Sequence, residues 1–286
     1  MHRFFVSPDR CSAAEFDLGD AEARHAHQVL RLGRGDRLEV LDGRGTLIEA
    51  EILSAGRGGV VVRALSRKLR SRPACRLVLL QALLKGKAME VVLEKSVELG
   101  VDSLVLLDTG RCVARVPAGE AGRKRDLWTQ TLVEAAKQSR NPWLPELVGP
   151  LPLGQALDTL SLPPGGATLL FGSLEPDAPP MGQVLEEMRR NSNTPTGTSS
   201  MDGAGAAASR RWALAIGPEG DFTPDELDRL HRQPGHAVSL GPLILRAETA
   251  AIAAMALLAD AARRLDAGTD RPAPAFPTDT PTTPTA

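Results

Sequence analysis

Gly241-Pro242-Leu243-Ile244-Leu245-Arg246-Ala247-Glu248-Thr249-Ala250 lies a short distance beyond Ala215-Ile216-Gly217-Pro218-Glu219-Gly220, and each stretch directly follows an apolar, strand-like run. Glycines at strand ends let backbone groups come close to a ligand, because no Cβ intervenes. The two loops therefore read as two walls of one pocket. Taken alone, Gly217-Pro218-Glu219-Gly220 is equally an ordinary Gly-Pro turn before a helix. Arg246 and Glu248, at the junction of loop and helix, are equally a mutual ion pair.

Working outward from these loops, the surrounding texture is α/β. Leu77-Val78-Leu79-Leu80, Leu104 to Leu107, Ala167 to Phe171 and Trp212 to Ile216 are continuous apolar runs, as expected of strands covered on both faces. Between the first two, Met89, Leu93 and Val97 recur every fourth residue, with Glu90, Glu94 and Glu98 on another face and Gly100 placed to end the helix. A second helix is expected over 120–140, with a stripe of Leu127, Trp128, Thr131, Leu132 and Ala135, stopped by Asn141-Pro142. Thr223-Pro224-Asp225-Glu226 has the pattern of a capping box with proline at the first helical position. A last, Ala-rich helix runs from about Glu248 to Leu265, with small side chains suited to close packing or to a subunit interface. Strands alternating with helices predict a mainly parallel sheet.

The N-terminal part has a different period. After a short helix over 21–32, carrying Val29, Leu30 and Leu32, apolar and polar residues alternate in Leu38 and Val40 and again in Ile48, Ala50 and Ile52. Asp42-Gly43-Arg44-Gly45 supplies the turn of a hairpin, and Val60-Val61-Val62 a further strand. At 286 residues the chain is long enough for two domains, since one commonly takes about 100–200 residues. The expected division is a small β-rich domain over 1–72 and an α/β domain over 73–265. Residues 191–209 and 266–286 are rich in Ser, Thr, Gly, Ala and Pro, and read as a disordered insertion and a disordered tail.

A net charge of −1 conceals a split along the chain: residues 1–72 carry 13 Lys and Arg against 10 Asp and Glu, a net of +3, and the remainder 21 against 25, a net of −4. Arg57, Arg63, Arg67, Lys68, Arg70 and Arg72 occur without an intervening carboxylate, and Arg31, Arg34 and Arg37 form a second cluster. These suit phosphate binding; they equally suit a charged, aggregation-resistant strand edge.

Several function classes are disfavoured. No stretch reaches the roughly 20 apolar residues needed to span a bilayer, and the N-terminus does not resemble a signal peptide, so the expected location is cytoplasmic. Cys11, Cys75 and Cys112 are far apart, without a C-x-x-C pair, and read as reduced thiols. His25 and His27 diverge by about 200° on a helix, so no metal is expected. Neither a P-loop, a G-x-G-x-x-G joining strand to helix, nor a G-x-S-x-G elbow is present.

The two glycine loops, in this order, resemble those of the RsmE family of 16S ribosomal RNA uridine-N3 methyltransferases. The likeness extends to His25–Leu32, Gly35-Asp36, Asp42–Gly45, Met89–Val101, Arg111-Cys112-Val113 and Glu134–Arg140. Asp221 departs from it where the family usually has glycine, as do Leu243 where a basic residue is common and Ala247 where threonine is usual. The resemblance implies a PUA-like β-barrel followed by a SPOUT methyltransferase domain with a C-terminal trefoil knot, working as a homodimer. It implies S-adenosylmethionine as methyl donor and a uridine of 16S ribosomal RNA, free or in the small subunit, as acceptor. Gly172, Ile216, Gly217, Pro218, Glu219, Gly220, Leu240, Gly241, Pro242, Ile244 and Leu245 would then line the donor. Arg246 would stabilise the uridine anion, with Glu219 or Glu248 assisting proton removal or orientation. Arg3, Arg31, Arg34, Arg67, Lys68, Lys137 and Arg140 are the expected RNA grip. The alternatives are a SPOUT enzyme acting on a ribose 2′-hydroxyl, and a non-catalytic RNA-binding ribosome assembly factor.

Overall fold

A computed structural model describes residues 1–160, 167–192 and 210–267. The strands are β1 (His2–Phe5), β2 (Glu15–Asp17), β3 (Arg37–Leu41), β4 (Thr46–Gly56), β5 (Gly59–Leu69), β6 (Cys75–Ala82), β7 (Ser103–Leu107), β8 (Glu146–Leu151), β9 (Ala167–Gly172), β10 (Arg210–Ile216) and β11 (Gly235–Val238). The α-helices are α1 (Asp20–Arg24), α2 (Lys87–Glu98), α3 (Ala121–Ser139), α4 (Leu153–Thr159), α5 (Met181–Ser192), α6 (Pro224–His231) and α7 (Ala247–Ala267). Apart from the helix ends at 191–192 and 266–267, the expected insertion and tail lie outside the described residues.

The strands form two sheets with separate apolar cores. The smaller has the order β1-β3-β4-β5-β2, antiparallel except for β1 beside β3. Its hairpin forms where alternation places Leu38, Val40, Ile48, Ala50 and Ile52 on the buried face. The Asp42 carboxylate fixes the turn by accepting the N–H groups of Arg44 and Thr46, both at 2.8 Å.

The larger sheet, in the order β11-β9-β10-β6-β7-β8, is parallel throughout. From Leu77 to Ala82 every residue of β6 is buried, because β6 is central and both faces are covered. A parallel sheet sends every strand's C-terminus to one edge, so the loops after β6, β7, β9, β10 and β11 all emerge together. α2 buries Met89, Val92, Leu93 and Val97, and Gly100, at φ +80°, terminates it in a conformation that strains other residues. The expected capping box of α6 is present, with Thr223 Oγ1 accepting the Glu226 N–H and Glu226 accepting the Thr223 N–H.

Two helices differ from their expected form. The helix at 21–32 gives way at His25–Val29 to a π-turn closed by Leu30 N–H donating to His25 O at 3.0 Å, and Val29 is turned outward. On α3 the buried stripe is Trp128, Leu132, Ala135 and Ala136, while Leu127 is 49% exposed. Leu127 lies one helical step, about 100°, off that stripe.

The small sheet is seated on the C-terminal end of α3 and on the segment leading into β8. Gly45 N–H donates to Pro142 O at 2.9 Å and Leu144 N–H to Gly43 O at 3.0 Å. Gly45, at φ +99°, lies flat against the Trp143 indole, where any Cβ would overlap the ring. The Arg72 guanidinium covers that indole at 4.0 Å.

Candidate functional site

At the C-terminal edge of the large sheet, the loops after β9, β10 and β11 close around a single cleft of about 880 Å³. That volume falls in the range of about 300–1,000 Å³ used by small-molecule sites. Gly172, Ile216, Gly217, Pro218, Glu219, Leu240, Gly241, Pro242, Ile244 and Leu245 all line it, as do Arg246 and Glu248. Gly220 does not. Its carbonyl, with that of Phe222, accepts hydrogen bonds from Arg111 Nη1, each at 3.0 Å. Ala88, Ser173, Leu174, Glu175, Pro176, Asp221 and Val238 also line the cleft, outside the set expected from sequence.

Local chemistry explains how each loop is held. After β10 the chain turns through Asp221 N–H donating to Pro218 O at 3.0 Å, with Asp221 itself at φ +61°. A left-handed conformation is open to aspartate because its carboxylate bonds locally: Oδ1 accepts the Phe222 N–H at 2.7 Å. Asp221, standing where the resembled family usually has glycine, thus keeps the turn that glycine would make. A Cβ on Gly217 would sit 3.2–3.3 Å from Asp221 Oδ1, the Phe222 ring and the Phe222 nitrogen, so the turn leaves little room for one. Phe222 is fully buried and anchors the loop to the core. Glu226 adds a second anchor by accepting the Gly110 N–H at 2.9 Å.

After β9, the Ser173 hydroxyl donates to Glu175 and accepts its N–H, while Ser173 N–H bonds Val238 O at 3.0 Å. After β11, Ser239 exchanges backbone bonds with Pro179 and Met181, each at 2.9 Å. The next residues are open: Leu243 and Ile244 are 76% and 84% exposed. Among the described residues, the N–H groups of Leu243, Ile244 and Leu245 make no hydrogen bond to the protein.

The ionisable residues of the lining are Glu175, Glu219, Asp221 and Glu248 against one cation, Arg246. The ion pair that sequence left open between Arg246 and Glu248 does not form. Among the described residues, neither these two nor Glu219 makes an ion pair or side-chain hydrogen bond. A guanidinium and two carboxylates are therefore left open to a ligand in one cleft. A cation there can stabilise developing negative charge, and a carboxylate can accept a proton.

The residues expected to grip RNA lie elsewhere, on the small sheet and at its seam with the N-terminal edge of the large one. Arg31, Arg34 and Lys68 are exposed. Arg67 donates to Ala13 O at 2.6 Å and rests over Phe16. Arg140 ends α3 at φ +59°. Arg3 and Lys137, also expected there, have partners within the protein. Arg3 pairs with Glu39 at 3.4 Å and donates to the carbonyls of Lys137 and Gln138; Lys137, 11% exposed, reaches Glu22 at 2.9 Å and Glu134 at 2.7 Å. Burial alone would lower the Lys137 pKa, but hydrogen bonds and charge from Glu134 and Glu22 outweigh it and shift it upward. Both side chains are occupied in holding the small sheet to α3.

Comparison with known proteins bears on this arrangement. The model of an RNA methyltransferase domain matches residues 71–259, and that of an RNA methyltransferase PUA domain matches 18–65. The chain is similar to the ribosomal RNA small subunit methyltransferase E of Mycobacterium bovis, with 32% identity over 270 residues, 92% of this chain and 93% of that protein. Among solved structures it resembles a ribosomal RNA small subunit methyltransferase E from Neisseria gonorrhoeae bound to S-adenosyl methionine, at 25% identity and a TM-score of 0.72, covering 90% of this chain and 96% of that one. It also resembles a protein of Legionella pneumophila solved in complex with bound cofactor SAM, at 26% identity and a TM-score of 0.70, covering 91% of this chain and 97% of that one.

Proposed function

Since the chain belongs to the ribosomal RNA small subunit methyltransferase E family of RNA methyltransferases, we propose that it transfers the methyl group of S-adenosylmethionine to N3 of a uridine in 16S ribosomal RNA. The observation that carries this reading is the convergence of three strand-end loops on one cleft whose lining includes one cation and two carboxylates that have no partner among the described residues. The cleft suits the donor: it is roomy enough, its glycines expose backbone, and the open N–H groups of Leu243 to Leu245 offer hydrogen bonds to an uncharged base or ribose. S-adenosylmethionine supplies an electrophilic methyl on a sulfonium, so the protein's work is alignment and charge stabilisation.

On this reading, backbone at Gly172, Ile216 to Gly220 and Leu240 to Leu245 lines the donor site, with Gly220 acting through the turn that Arg111 braces. Arg246 faces the uracil and stabilises the negative charge that grows as N3 loses its proton. Glu219 or Glu248 accepts that proton. The N3–CH3 bond forms as the S–CH3 bond breaks, leaving a neutral thioether. The exposed cations Arg31, Arg34 and Lys68, with Arg67 and Arg140, contact the RNA. The same reading includes domains over 1–72 and 73–265, a C-terminal trefoil knot, a homodimer and a cytoplasmic location.

Incubation of purified protein with labelled S-adenosylmethionine and unmethylated small ribosomal subunits, followed by nucleoside mass analysis, tests the proposal. Label in 3-methyluridine is expected. Label on a ribose hydroxyl would make the chain a different RNA methyltransferase, and bound RNA without any transfer would make it an assembly factor.

A further inference from the structure

The cleft has a charge problem that its own lining does not solve. Glu175, Glu219, Asp221 and Glu248 face Arg246 alone, so the cleft repels the polyanionic backbone of any nucleic acid whose base it admits. The basic residues of the small sheet are no remedy at this point, because that sheet is seated at the opposite edge of the parallel strands. β6, with its eight residues, alone separates the two edges by about 26 Å at ~3.3 Å per residue.

Cations nearer the cleft are few. On the β7 loop, Arg111 is occupied with the carbonyls of Gly220 and Phe222, and Arg115 is paired with Asp108. The β6 loop differs. Lys85 and Lys87 flank Gly86, whose φ of +53° bends the chain, and Ala88 N–H closes the bend on Lys85 O at 3.3 Å. Ala88 itself lines the cleft. Both lysines are exposed, and among the described residues neither makes an ion pair or side-chain hydrogen bond. Two uncommitted lysines therefore lie on the loop that brings Ala88 to the acidic lining.

We infer that Lys85 and Lys87 hold the RNA phosphates flanking the target uridine, keeping the backbone at the rim while the base enters the cleft. They are positioning residues, and the inference rests on the RNA methyltransferase reading above. Their contribution is Coulombic and made at the phosphates, so it governs acceptor binding rather than donor binding or the bond-making step.

The test is the K85Q/K87Q double variant of the full chain, assayed on unmethylated small ribosomal subunits over a range of salt concentrations. KM for the subunit is expected to rise about tenfold, and the slope of log affinity against log salt to flatten by about 1.4, at ~0.7 per phosphate contact on a single strand. At saturating subunit, kcat should stay within about twofold, as should the Kd for S-adenosylmethionine. Lys-to-Arg replacements should restore both KM and slope, because charge is what they preserve. An R232Q change, at the exposed C-terminal cap of α6, serves as a control for general loss of positive charge. An unchanged KM and slope in the double variant would overturn the inference, as would an equal weakening of donor binding, which would assign the loop to the donor. Wild-type protein that binds no S-adenosylmethionine would instead overturn the underlying functional reading.

Discussion

Arg111 does not line the cleft, yet its replacement by alanine should weaken donor binding. Its Nη1 donates to both Gly220 O and Phe222 O at 3.0 Å, tying the β10 loop to the β7 loop across 109 residues of sequence. A hydrogen bond from a charged donor contributes about 1.5–3 kcal/mol when shielded. Arg111 is exposed and water can replace it at Gly220, so about 1–2 kcal/mol for the pair is the appropriate figure. The penalty falls on the observed form of the Gly217–Gly220 loop, which donor binding must then restore. Apparent affinity for S-adenosylmethionine should drop about five- to thirtyfold. Isothermal titration calorimetry measures this directly. Thermal unfolding should change little, because the Thr223 capping box and the Glu226 bond to Gly110 N–H keep α6 in place. A Kd within twofold of wild type would refute the reasoning, since it would mean that the loop holds its shape without Arg111.

Arg246→Ala should lower kcat about a hundredfold or more, the usual cost of removing a group that stabilises transition-state charge, with donor Kd changed less than about threefold; single-turnover methylation and calorimetry together check the split. Lys137→Met should lower stability by about 2–3 kcal/mol, because Glu22, only 15% exposed, would keep a carboxylate without its cation. The Lys137 pKa is raised from 10.5 by Glu134 and Glu22 against the opposing effect of burial. Its stabilisation is therefore fully present below pH 10.5 and lost as pH climbs through the higher folded value. Urea unfolding should show a constant gap between wild type and variant from about pH 7 to about 10, narrowing only above pH 10.5.

The parts of the fold legible in the sequence are those whose signal is local. The unbroken apolar runs of β6, β7, β9 and β10, the four-residue spacing of Met89, Leu93 and Val97, and the Thr223–Glu226 cap each encode their element within a few residues. Elements lacking such a signal escape it. β8 carries Gly149-Pro150, a pair that ordinarily argues against a strand, and β11 is four residues with one buried side chain. α5 is a different case, since Met181, Val184, Leu185 and Met188 have full helical spacing and its amphipathic stripe is open to sequence reading.

The same distinction holds at the site. Glycine loops and the ionisable groups beside them are sequence features, so the cleft's main walls were legible. The bracing of Gly220 by Arg111 and the capture of Lys137 by Glu22 join residues more than a hundred positions apart. No spacing rule reaches that far. Arg3 and Lys137 illustrate the cost: only the fold reveals Glu39 beside the first and Glu22 beside the second, whereas Glu134, three residues before Lys137 on the same helix, is within reach of helical spacing.

The most direct test of the donor cleft is amide hydrogen exchange of the full chain with and without saturating S-adenosylmethionine. Slowed exchange is predicted in the segments at 172–176, 216–222 and 239–246, with the small sheet unaffected. Protection confined to other segments, or none at all, would contradict the assignment of these three loops to the methyl donor.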